Sequence, residues 1–155
     1  MCEMISKEEC TQQVRRMGNL FGLLYYHFAK TLVKELGDNK GRKLILKAIH
    51  SYGTEQGQII RDRVLAAGLD LTIENFFKFQ MLPSLGWESN GEGVTYCSYA
   101  EPWIERSEQD LGKLYCEIDY AKAQAYNPTI KVKRRTTILN DETCCSYTFE
   151  EEELK

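Results

Sequence analysis

Two residue types able to do chemistry stand three residues apart in the stretch "LYCEIDYAKAQAYNP", namely Cys116 and Asp119. The stretch has the pattern of a helix, in which residues i and i+3 lie on the same face, so the thiol and the carboxylate are expected to be neighbours. Such a pair can be a nucleophile with an acid–base partner, part of a metal site, or a small buried cysteine beside a half-exposed acid. The pair alone does not choose between these interpretations.

An arginine is predicted to point toward the same region. Residues 129–139 alternate as a strand, and Arg134 falls on the same face as Ile130 and Val132, which should meet the core. An unpaired buried charge is very costly, so the guanidinium must meet an anion or several acceptors. It either forms an internal salt bridge, with Asp119 as the candidate partner, or binds the carboxylate of a small-molecule substrate. Thr136 continues this face and is a further substrate-binding candidate.

Two more thiols belong to strand-like stretches. In the second half of the C-terminal hairpin, Cys145 shares a face with Tyr147 and is predicted to point inward, which turns Cys144 outward. Cys97 lies in the strand-like stretch "VTYCSYA", with Tyr99 on its face. The pattern therefore predicts that three thiols, an acid and an arginine converge where the sheet meets the helix that carries the opening pair.

A metal site is the weaker interpretation of these residues. Zinc needs about four ligands in settled geometry, and Cys97, Cys116, Asp119 and Cys145 could in principle supply them. The chain contains no CxxC pair, and the spacing of its six cysteines matches no zinc motif. We therefore predict neither a bound metal nor another cofactor.

The elements that must position these residues are helices first and strands later. Ser6 and Glu9 form a capping box that begins a helix. Apolar residues recur at helical spacing over 14–32 and again over 44–64, with Gly37 between the two helices. A short third helix follows near residue 73. The N-terminal half is thus predicted to be helical.

The C-terminal half mixes helix and strand. Asp110 is predicted to cap the helix that carries the opening pair, and the Asn-Pro dipeptide at 127–128 ends it. Two alternating stretches separated by a turn then predict an antiparallel hairpin. The sequence therefore predicts an α+β fold, with the helical half packed on a small antiparallel sheet. A single domain spans 1–155, with an ordered core at about 6–150 and a solvated acidic tail at 150–155.

Composition excludes several classes of protein. The 155 residues suit one domain, and a net charge of −3 gives no general attraction to nucleic acid or to an anionic membrane. No apolar run approaches about 18 residues, and the charged N-terminus "MCEMISKEEC" has no signal-peptide core. We therefore predict a cytoplasmic protein with reduced thiols, with neither nucleic acid nor a membrane as its partner. The sequence allows a homo-oligomer but does not determine the oligomeric state.

The order of the short motifs resembles one known family. "LYCEIDYAKA" is followed by a basic strand with Arg134 and Thr137, and then by a turn and "CSYTF". With the earlier Cys97 and Tyr99, this order resembles the L-2-amino-thiazoline-4-carboxylic acid hydrolase family, whose members carry a C-E-x-D-Y-A-like helix, an R-x-x-T-L-like strand and a C-D-[FY]-x-F-like final strand. The helical first half is similar as well. The sequence departs at Ser146, where the family has an acid.

The resemblance implies a reaction and matches five positions. It implies hydrolysis of a cyclic amidine-like C–N or C–S centre in a small carboxylated heterocycle, and the type reaction opens a 2-aminothiazoline ring to a carbamoyl-cysteine. Cys116 or Cys145 would be the nucleophile, and Asp119 would move protons or hold the amidinium. Arg134 would bind the substrate carboxylate. Cys97, together with Tyr99 and Thr136, completes the candidate substrate-binding set.

A second function comes from a more distant likeness. The final helix, strand, turn and cysteine strand are similar to vinyl-reductase-type small-molecule-binding domains. Zinc-bearing members of that group have a Glu-x-x-Cys in the penultimate strand, where this chain has Arg134 and Thr137. The comparison argues against a structural zinc. It leaves a non-catalytic binding or sensor domain as the alternative to a hydrolase.

Overall fold

The computed structural model describes residues 5–82 and 84–152, so Cys2 and the last three residues of the acidic tail lie outside it. The helices and strands are α1 (Lys7–Leu36), α2 (Asp38–Ala66), α3 (Ile73–Lys78), β1 (Trp87–Ser89), β2 (Val94–Cys97), α4 (Glu101–Ile104), α5 (Gln109–Gly112), α6 (Ile118–Tyr126), β3 (Ile130–Thr136) and β4 (Ser146–Glu151). Short 3-10 turns occupy Ser84–Gly86, Lys113–Glu117 and Ile138–Asn140. The predicted α+β fold class is confirmed, with two small sheets instead of one.

The first two helices form a long hairpin. The Ser6 side chain accepts a hydrogen bond from the backbone N–H of Glu9 at 3.1 Å, which confirms the predicted start of α1. Gly37 has a φ of 79° and reverses the chain after Leu36, a conformation that favours glycine. The carboxylate of Asp38, the first residue of α2, accepts a hydrogen bond from Arg42 at 2.7 Å.

Two glycines of α2 let another helix come close. A Cβ atom on Gly53 would lie 2.8 Å from the carbonyl oxygen of Ile118, and one on Gly57 would lie 2.2 Å from that of Lys122. The backbone of α6 therefore lies directly against α2, as the four-residue glycine spacing allows. This contact fixes the height and angle of the helix that carries Asp119.

The helix predicted around Cys116 is broken into three pieces. α5 ends at Gly112, a 3-10 turn carries Cys116, and α6 begins at Ile118 and carries Asp119 in its first turn. Asp110 does not cap this segment, because its carboxylate accepts from Arg42 of α2 at 2.7 Å. The predicted stop at Asn-Pro is confirmed, since α6 ends at Tyr126.

The two antiparallel sheets are joined at one residue pair. β1 pairs with β2, and β3 pairs with β4. Val94 of β2 forms an isolated bridge with Cys145, with backbone hydrogen bonds of 2.9 and 2.8 Å in the two directions. Cys145 is therefore fixed against β2. That strand ends at Cys97, so Tyr99 lies in the following turn and not on the strand face predicted for it.

A bulge in β3 breaks the predicted alternation. Arg134 lies opposite Tyr147 and Thr136 lies opposite Ser146, with the register shifting between them. After Arg134, two residues of β3 lie opposite a single residue of β4. The side chains of Arg134 and Thr136 therefore do not lie on the same face of the strand. The sequence alternation assumed an unbroken ladder, which tertiary packing does not preserve here.

Cys144 corrects another prediction, because it is buried instead of turned outward. β4 begins only at Ser146, so the alternation used for the prediction does not extend to Cys144. Its sulfur lies 3.9 Å from the Thr136 hydroxyl, and it would meet a Cβ placed on Gly93 at 3.1 Å. The thiol thus packs inside the junction of the two sheets.

Two separate hydrophobic clusters make up the core. The thiol-side cluster consists of Ala29, Ile45, Ile49, Ala100, Trp103, Leu111, Ile118 and Leu139. The hairpin-side cluster consists of Ile60, Val64, Phe76, Ala123, Tyr126 and Ile130. α3 contributes Phe76 to the hairpin-side cluster, and Phe79, which follows the helix, packs against that cluster. Over the described ranges, no helix is long and apolar enough to cross a membrane.

Candidate functional site

The site is built around Cys116, which lies in the 3-10 turn and is partly buried. Burial raises the pKa of its thiol to about 12. The positive charge of Arg134 acts in the opposite direction, whereas Asp119, Cys97 and Cys145 add to the rise. The four other positions matched by the sequence motifs therefore lie near enough for their charges to affect this thiol. That thiol is protonated at neutral pH.

Arg134 projects from β3 into this region. Its guanidinium lies 5.4 Å from the ring centre of Tyr120 and 5.7 Å from that of Tyr147, and 14% of the side chain is exposed. Its Nη2 donates to Glu117 at 3.2 Å, so the internal ion pair involves Glu117 and not Asp119. The buried Nε finds no hydrogen-bond acceptor among the described residues. A buried guanidinium N–H without an acceptor is costly unless something else fills that position.

Asp119 has another partner on its own helix. Its carboxylate lies 3.3 Å from the ammonium of Lys122, one turn along α6. Besides burial, its negative charge contributes to the raised pKa values of Cys116, Cys97 and Tyr147. The acid is therefore near the thiols and tied to a lysine that can compete for it.

Cys145 is held by a second network. The backbone N–H of Ile138 donates to its sulfur at 3.4 Å, and the thiol donates to the Thr137 hydroxyl at 3.5 Å. Thr137 is buried, and its hydroxyl also accepts from the backbone N–H of Leu139. Thr137 was not among the predicted site residues, although the R-x-x-T pattern contains it. The strand alternation had pointed instead to its neighbour Thr136.

Thr136 itself is used within the hairpin. Its hydroxyl lies 2.8 Å from that of Ser146 and accepts from the Ser146 backbone N–H at 3.1 Å. The hydroxyl of this predicted substrate-binding residue is therefore already hydrogen-bonded to Ser146 within the hairpin. Ser146, the residue that replaces the expected acid, thus contributes to the hairpin junction.

Cys97 and Tyr99 form the side of the site near the helical hairpin. Burial raises the pKa of Cys97 to about 11, and Cys145 and Asp119 add to the rise. The ring of Tyr99 lies 5.5 Å from that of Phe21 and 5.8 Å from that of Tyr115. Since Tyr115 directly precedes Cys116, these rings form an aromatic wall beside the thiols.

Tyr25 of α1 is a site residue that the sequence patterns missed. Its ring lies 5.3 Å from those of both Trp103 and Tyr115, and its buried hydroxyl has no hydrogen-bond partner within the described part of the chain. Burial raises its pKa, and the nearby Cys116 raises it further, so the hydroxyl stays protonated. No sequence signal separates it from an ordinary core tyrosine.

The arrangement suits a small ligand with hydrogen-bond acceptors. Two buried donors, Arg134 Nε–H and the Tyr25 hydroxyl, lie near Cys116 without partners among the described residues. Within that same part of the chain, no group of three or more His, Cys, Asp and Glu side chains is placed to hold a metal ion. The site offers thiols, a carboxylate and fixed donors, which are the components of nucleophilic and acid–base chemistry.

Two surface clefts lie elsewhere. One of about 360 Å³ is lined mainly by α1, Tyr96 and Glu101, where Glu101 accepts hydrogen bonds from Asn19 at 2.7 Å and Tyr96 at 2.9 Å. The other, of about 370 Å³, is lined by residues of α1 between His27 and Lys34. Neither is lined by the thiols. A pocket formed where the thiols, Asp119 and Arg134 are predicted to converge stays a prediction.

Comparison with known proteins gives one match. A family model described as L-2-amino-thiazoline-4-carboxylic acid hydrolase matches residues 17–149. The matched range contains both helices of the hairpin, the thiols and the C-terminal strands. No curated protein and no solved structure matches the chain.

Proposed function

This chain belongs to the L-2-amino-thiazoline-4-carboxylic acid hydrolase family, and from that premise we propose that it hydrolyses a small carboxylated cyclic amidine or thiazoline. The substrate resembles 2-aminothiazoline-4-carboxylate. One observation carries the proposal: the buried Arg134 beside Cys116 keeps an Nε–H with no acceptor among the described residues. A substrate carboxylate supplies that acceptor and brings the ring to the thiol.

Binding uses charge at both ends of the substrate. The carboxylate accepts from Arg134, whose stacking on Tyr120 and Tyr147 limits the movement of its guanidinium. The amidinium lies beside Asp119, which favours a cation. The hydroxyl of Tyr25 donates to an acceptor atom of the bound ring.

The first half of the reaction opens the ring. A proton leaves the Cys116 thiol for Asp119, and the sulfur bonds to the amidinium carbon between the ring sulfur and the ring nitrogen. The tetrahedral adduct then breaks the bond between that carbon and the ring sulfur, and the departing sulfur takes the proton from Asp119. The product of this half is a thiol-bearing isothiourea attached to Cys116.

The second half of the reaction regenerates the free enzyme. Water adds to the same carbon and gives a proton to Asp119, and the bond to the Cys116 sulfur then breaks. The sulfur recovers its proton, and the carbon leaves as the carbonyl of an N-carbamoyl-cysteine. The net change is the addition of one water molecule, with no cofactor.

Ionisation of the thiol depends on the substrate. A thiol whose pKa is about 12 contributes little thiolate at neutral pH. A bound amidinium beside Cys116 lowers that pKa, since a cation favours the thiolate. Cys145 is the second candidate nucleophile, and its sulfur accepts a hydrogen bond from the Ile138 N–H.

A non-catalytic binding domain is the second candidate function. The raised pKa values of Cys97 and Cys116 support it, because a binding domain needs no reactive thiolate. The same donors would then hold a carboxylated ligand without reaction. Both functions fit a reducing cytoplasmic location, since the five described cysteines are free thiols.

One experiment separates these possibilities. The purified chain is incubated with 2-aminothiazoline-4-carboxylate, and carbamoyl-cysteine is measured in wild type, Cys116→Ser, Cys145→Ser and the control Cys10→Ser. We expect turnover in wild type and the control, and a loss of at least about a thousandfold in Cys116→Ser. The same loss only in Cys145→Ser would move the nucleophile to that residue. Saturable binding without turnover in wild type would mean a binding domain.

A further inference from the structure

An apolar face of the helical hairpin is turned toward solvent. On α1 it contains Met17, Leu24 and Phe28, whose exposed fractions are 66%, 57% and 63%. The ring of Phe21 belongs to the same face and lies 6.3 Å from that of Tyr52, which joins it to α2. The apolar spacing of α1 had predicted a helix with a packed side. The side that packs on this chain is a different one, with Gly18, Gly22 and Ala29 buried.

The spacing of this face is symmetric along the helix. Met17, Phe21, Leu24 and Phe28 follow one another at intervals of four, three and four residues. Such spacing makes a continuous apolar line on a helix, as in the contact line between packed helices. Read in the opposite direction, the intervals are again four, three and four. The line therefore presents the same pattern to an identical helix running antiparallel to it.

We infer that a second copy of this chain covers the face in a two-fold symmetric dimer. An interface of this kind uses the same patch on both copies. If one residue of the first copy contacts a second residue of the partner, the symmetric contact between the same two residues also forms. With the two-fold axis between Phe21 and Leu24, Phe21 of one copy meets Leu24 of the other, and Met17 meets Phe28. Every residue of the line then has an apolar partner.

The size of the face suits such a dimer. From Met17 to Phe28 it runs about 16 Å along α1, at about 1.5 Å per residue. Leu20, Leu44 and Tyr52 widen it, with exposed fractions of 52%, 41% and 39%. A monomer's largest apolar patch usually covers roughly 300–600 Å², and larger ones mark interaction sites. A stable interface buries roughly 800 Å² per partner, including a polar rim. Seven large side chains on two long helices supply the apolar part of that area.

The charges around the face favour a protein partner over an anionic membrane. Exposed Arg16 and Lys47 flank it, and they alone would attract anionic lipid. Glu35 continues the line of α1 after Phe28, and Glu55 lies one turn beyond Tyr52 on α2. Carboxylates of this kind oppose contact with anionic headgroups, whereas the mixed rim suits the polar edge of a protein interface.

The dimer would also shield the thiol site. The ring of Phe21 contacts those of Tyr99 and Tyr115, at 5.5 and 5.8 Å, and so forms the outer layer of the aromatic wall. A second copy placed over Phe21 reduces the access of water to that wall. The inference concerns assembly and does not depend on the proposed hydrolysis.

The test is the mass of the protein in solution. Sedimentation equilibrium from about 1 to 100 μM is compared for wild type, Leu24→Glu and the matched control Leu65→Glu. Leu65 is a similarly exposed leucine near the C-terminal end of α2, away from the face. We expect a wild-type dimer, an unchanged control, and self-association at least about thirtyfold weaker in Leu24→Glu. Circular dichroism checks that both variants remain folded, as expected for substitutions at exposed positions.

Orientation needs a second measurement. Chains carrying Met17→Cys and Phe28→Cys are mixed under oxidising conditions, and mass spectrometry identifies the cross-linked peptides. An antiparallel dimer gives the mixed 17–28 cross-link in preference to either homotypic one. A wild-type monomer over the whole range would overturn the inference, as would a dimer that Leu24→Glu leaves intact. A monomer that sediments with anionic vesicles would identify the face as a membrane contact instead.

Discussion

The two hydrophobic clusters of this protein differ in how they treat polar groups. In the hairpin-side cluster, the Tyr126 hydroxyl donates to the Thr72 carbonyl at 2.9 Å, and the neighbouring Asn127 amide donates to Leu71 at 2.8 Å. Beside the thiol-side cluster, the buried hydroxyls of Tyr25 and Ser98 have no partner in the described part of the chain. The first cluster provides an acceptor for its buried tyrosine hydroxyl, whereas two hydroxyls beside the second have none among the described residues; one more unpartnered hydroxyl, that of Thr148 on β4, is a member of neither cluster.

Under the proposed function, this difference is that between a region that stabilises the fold and one that binds a ligand. Buried polar groups in native proteins are nearly all hydrogen-bonded, and each exception needs a cause. At the thiol side the exceptions lie next to Cys97 and Cys116, together with the open Nε of Arg134. A single cause, the proposed ligand with several acceptors, would account for the exceptions beside Cys116. Substitutions in the two clusters should therefore have different consequences.

The largest effect is expected from the hairpin-side cluster. Phe76 is 1% exposed and packs against Tyr126 and Phe149, with ring centres at 5.1 and 6.0 Å. Phe76→Ala removes that contact and leaves a cavity, which should lower the free energy of unfolding by about 3–5 kcal/mol. Urea denaturation measures the loss, with the exposed Phe77→Ala as the control. At a temperature where both remain folded, turnover of the thiazoline should be unchanged.

Arg134→Lys tests the same comparison from the thiol side. Lysine keeps the charge and loses the fork that can reach Glu117 and a carboxylate together. We expect kcat/KM for the carboxylated substrate to fall by about ten- to a hundredfold, equivalent to about 1.5–3 kcal/mol. An analogue without the carboxylate should lose much less. Equal losses on both substrates, with a clearly lowered Tm, would show that Arg134 serves only the fold.

The pH dependence of stability should also report the thiol side. The folded pKa of Cys116 is about 12, above the ordinary thiol value, so the unfolded chain loses this proton at lower pH than the folded one. The unfolded state therefore binds fewer protons above about pH 9, and stability falls as the pH rises toward 12. The slope is about 1.4 kcal/mol per pH unit for each such thiol. Denaturation at pH 8, 9 and 10 should show a shallower fall in Cys116→Ser than in Cys10→Ser.

Local signals predicted the fold better than they predicted contacts. The Ser6 cap and the Asn-Pro stop each act through neighbouring backbone, and the structure confirms both. The bulge after Arg134 was not predictable, because it depends on how β4 and the Val94–Cys145 bridge hold the strand. Alternation assumes a regular ladder, and tertiary contacts decide whether the ladder is regular.

The same limit explains what was missed in the site. Helix and strand phase, with the family motifs, directed attention to Cys116, Asp119 and Arg134. Arg134 pairs with Glu117 because of the distance between β3 and the 3-10 turn that carries Glu117. The helical and strand periodicity of the sequence gives no information on that distance. Tyr25 comes from a distant helix, and its role becomes visible only when its hydroxyl is found buried without a described partner.

The smallest expected effect comes from a matched pair of tyrosines. Tyr126→Phe removes one of two hydrogen bonds to the half-buried Thr72 carbonyl, which keeps the one from the Phe76 N–H, so it should lower the free energy of unfolding by about 1 kcal/mol. Tyr25→Phe removes a hydroxyl that has no described partner, so the stability of the ligand-free protein should stay the same or rise slightly.

Activity should respond in the opposite way. If the Tyr25 hydroxyl donates to the bound ring, Tyr25→Phe should lower kcat/KM by about tenfold, and Tyr126→Phe should leave it unchanged. Denaturation curves and kinetics on the same four samples, with wild type and the double variant included, give both quantities. A Tyr25→Phe variant that loses stability and keeps full activity would show that its hydroxyl serves the fold. The contrast between the two clusters would then no longer hold at this residue.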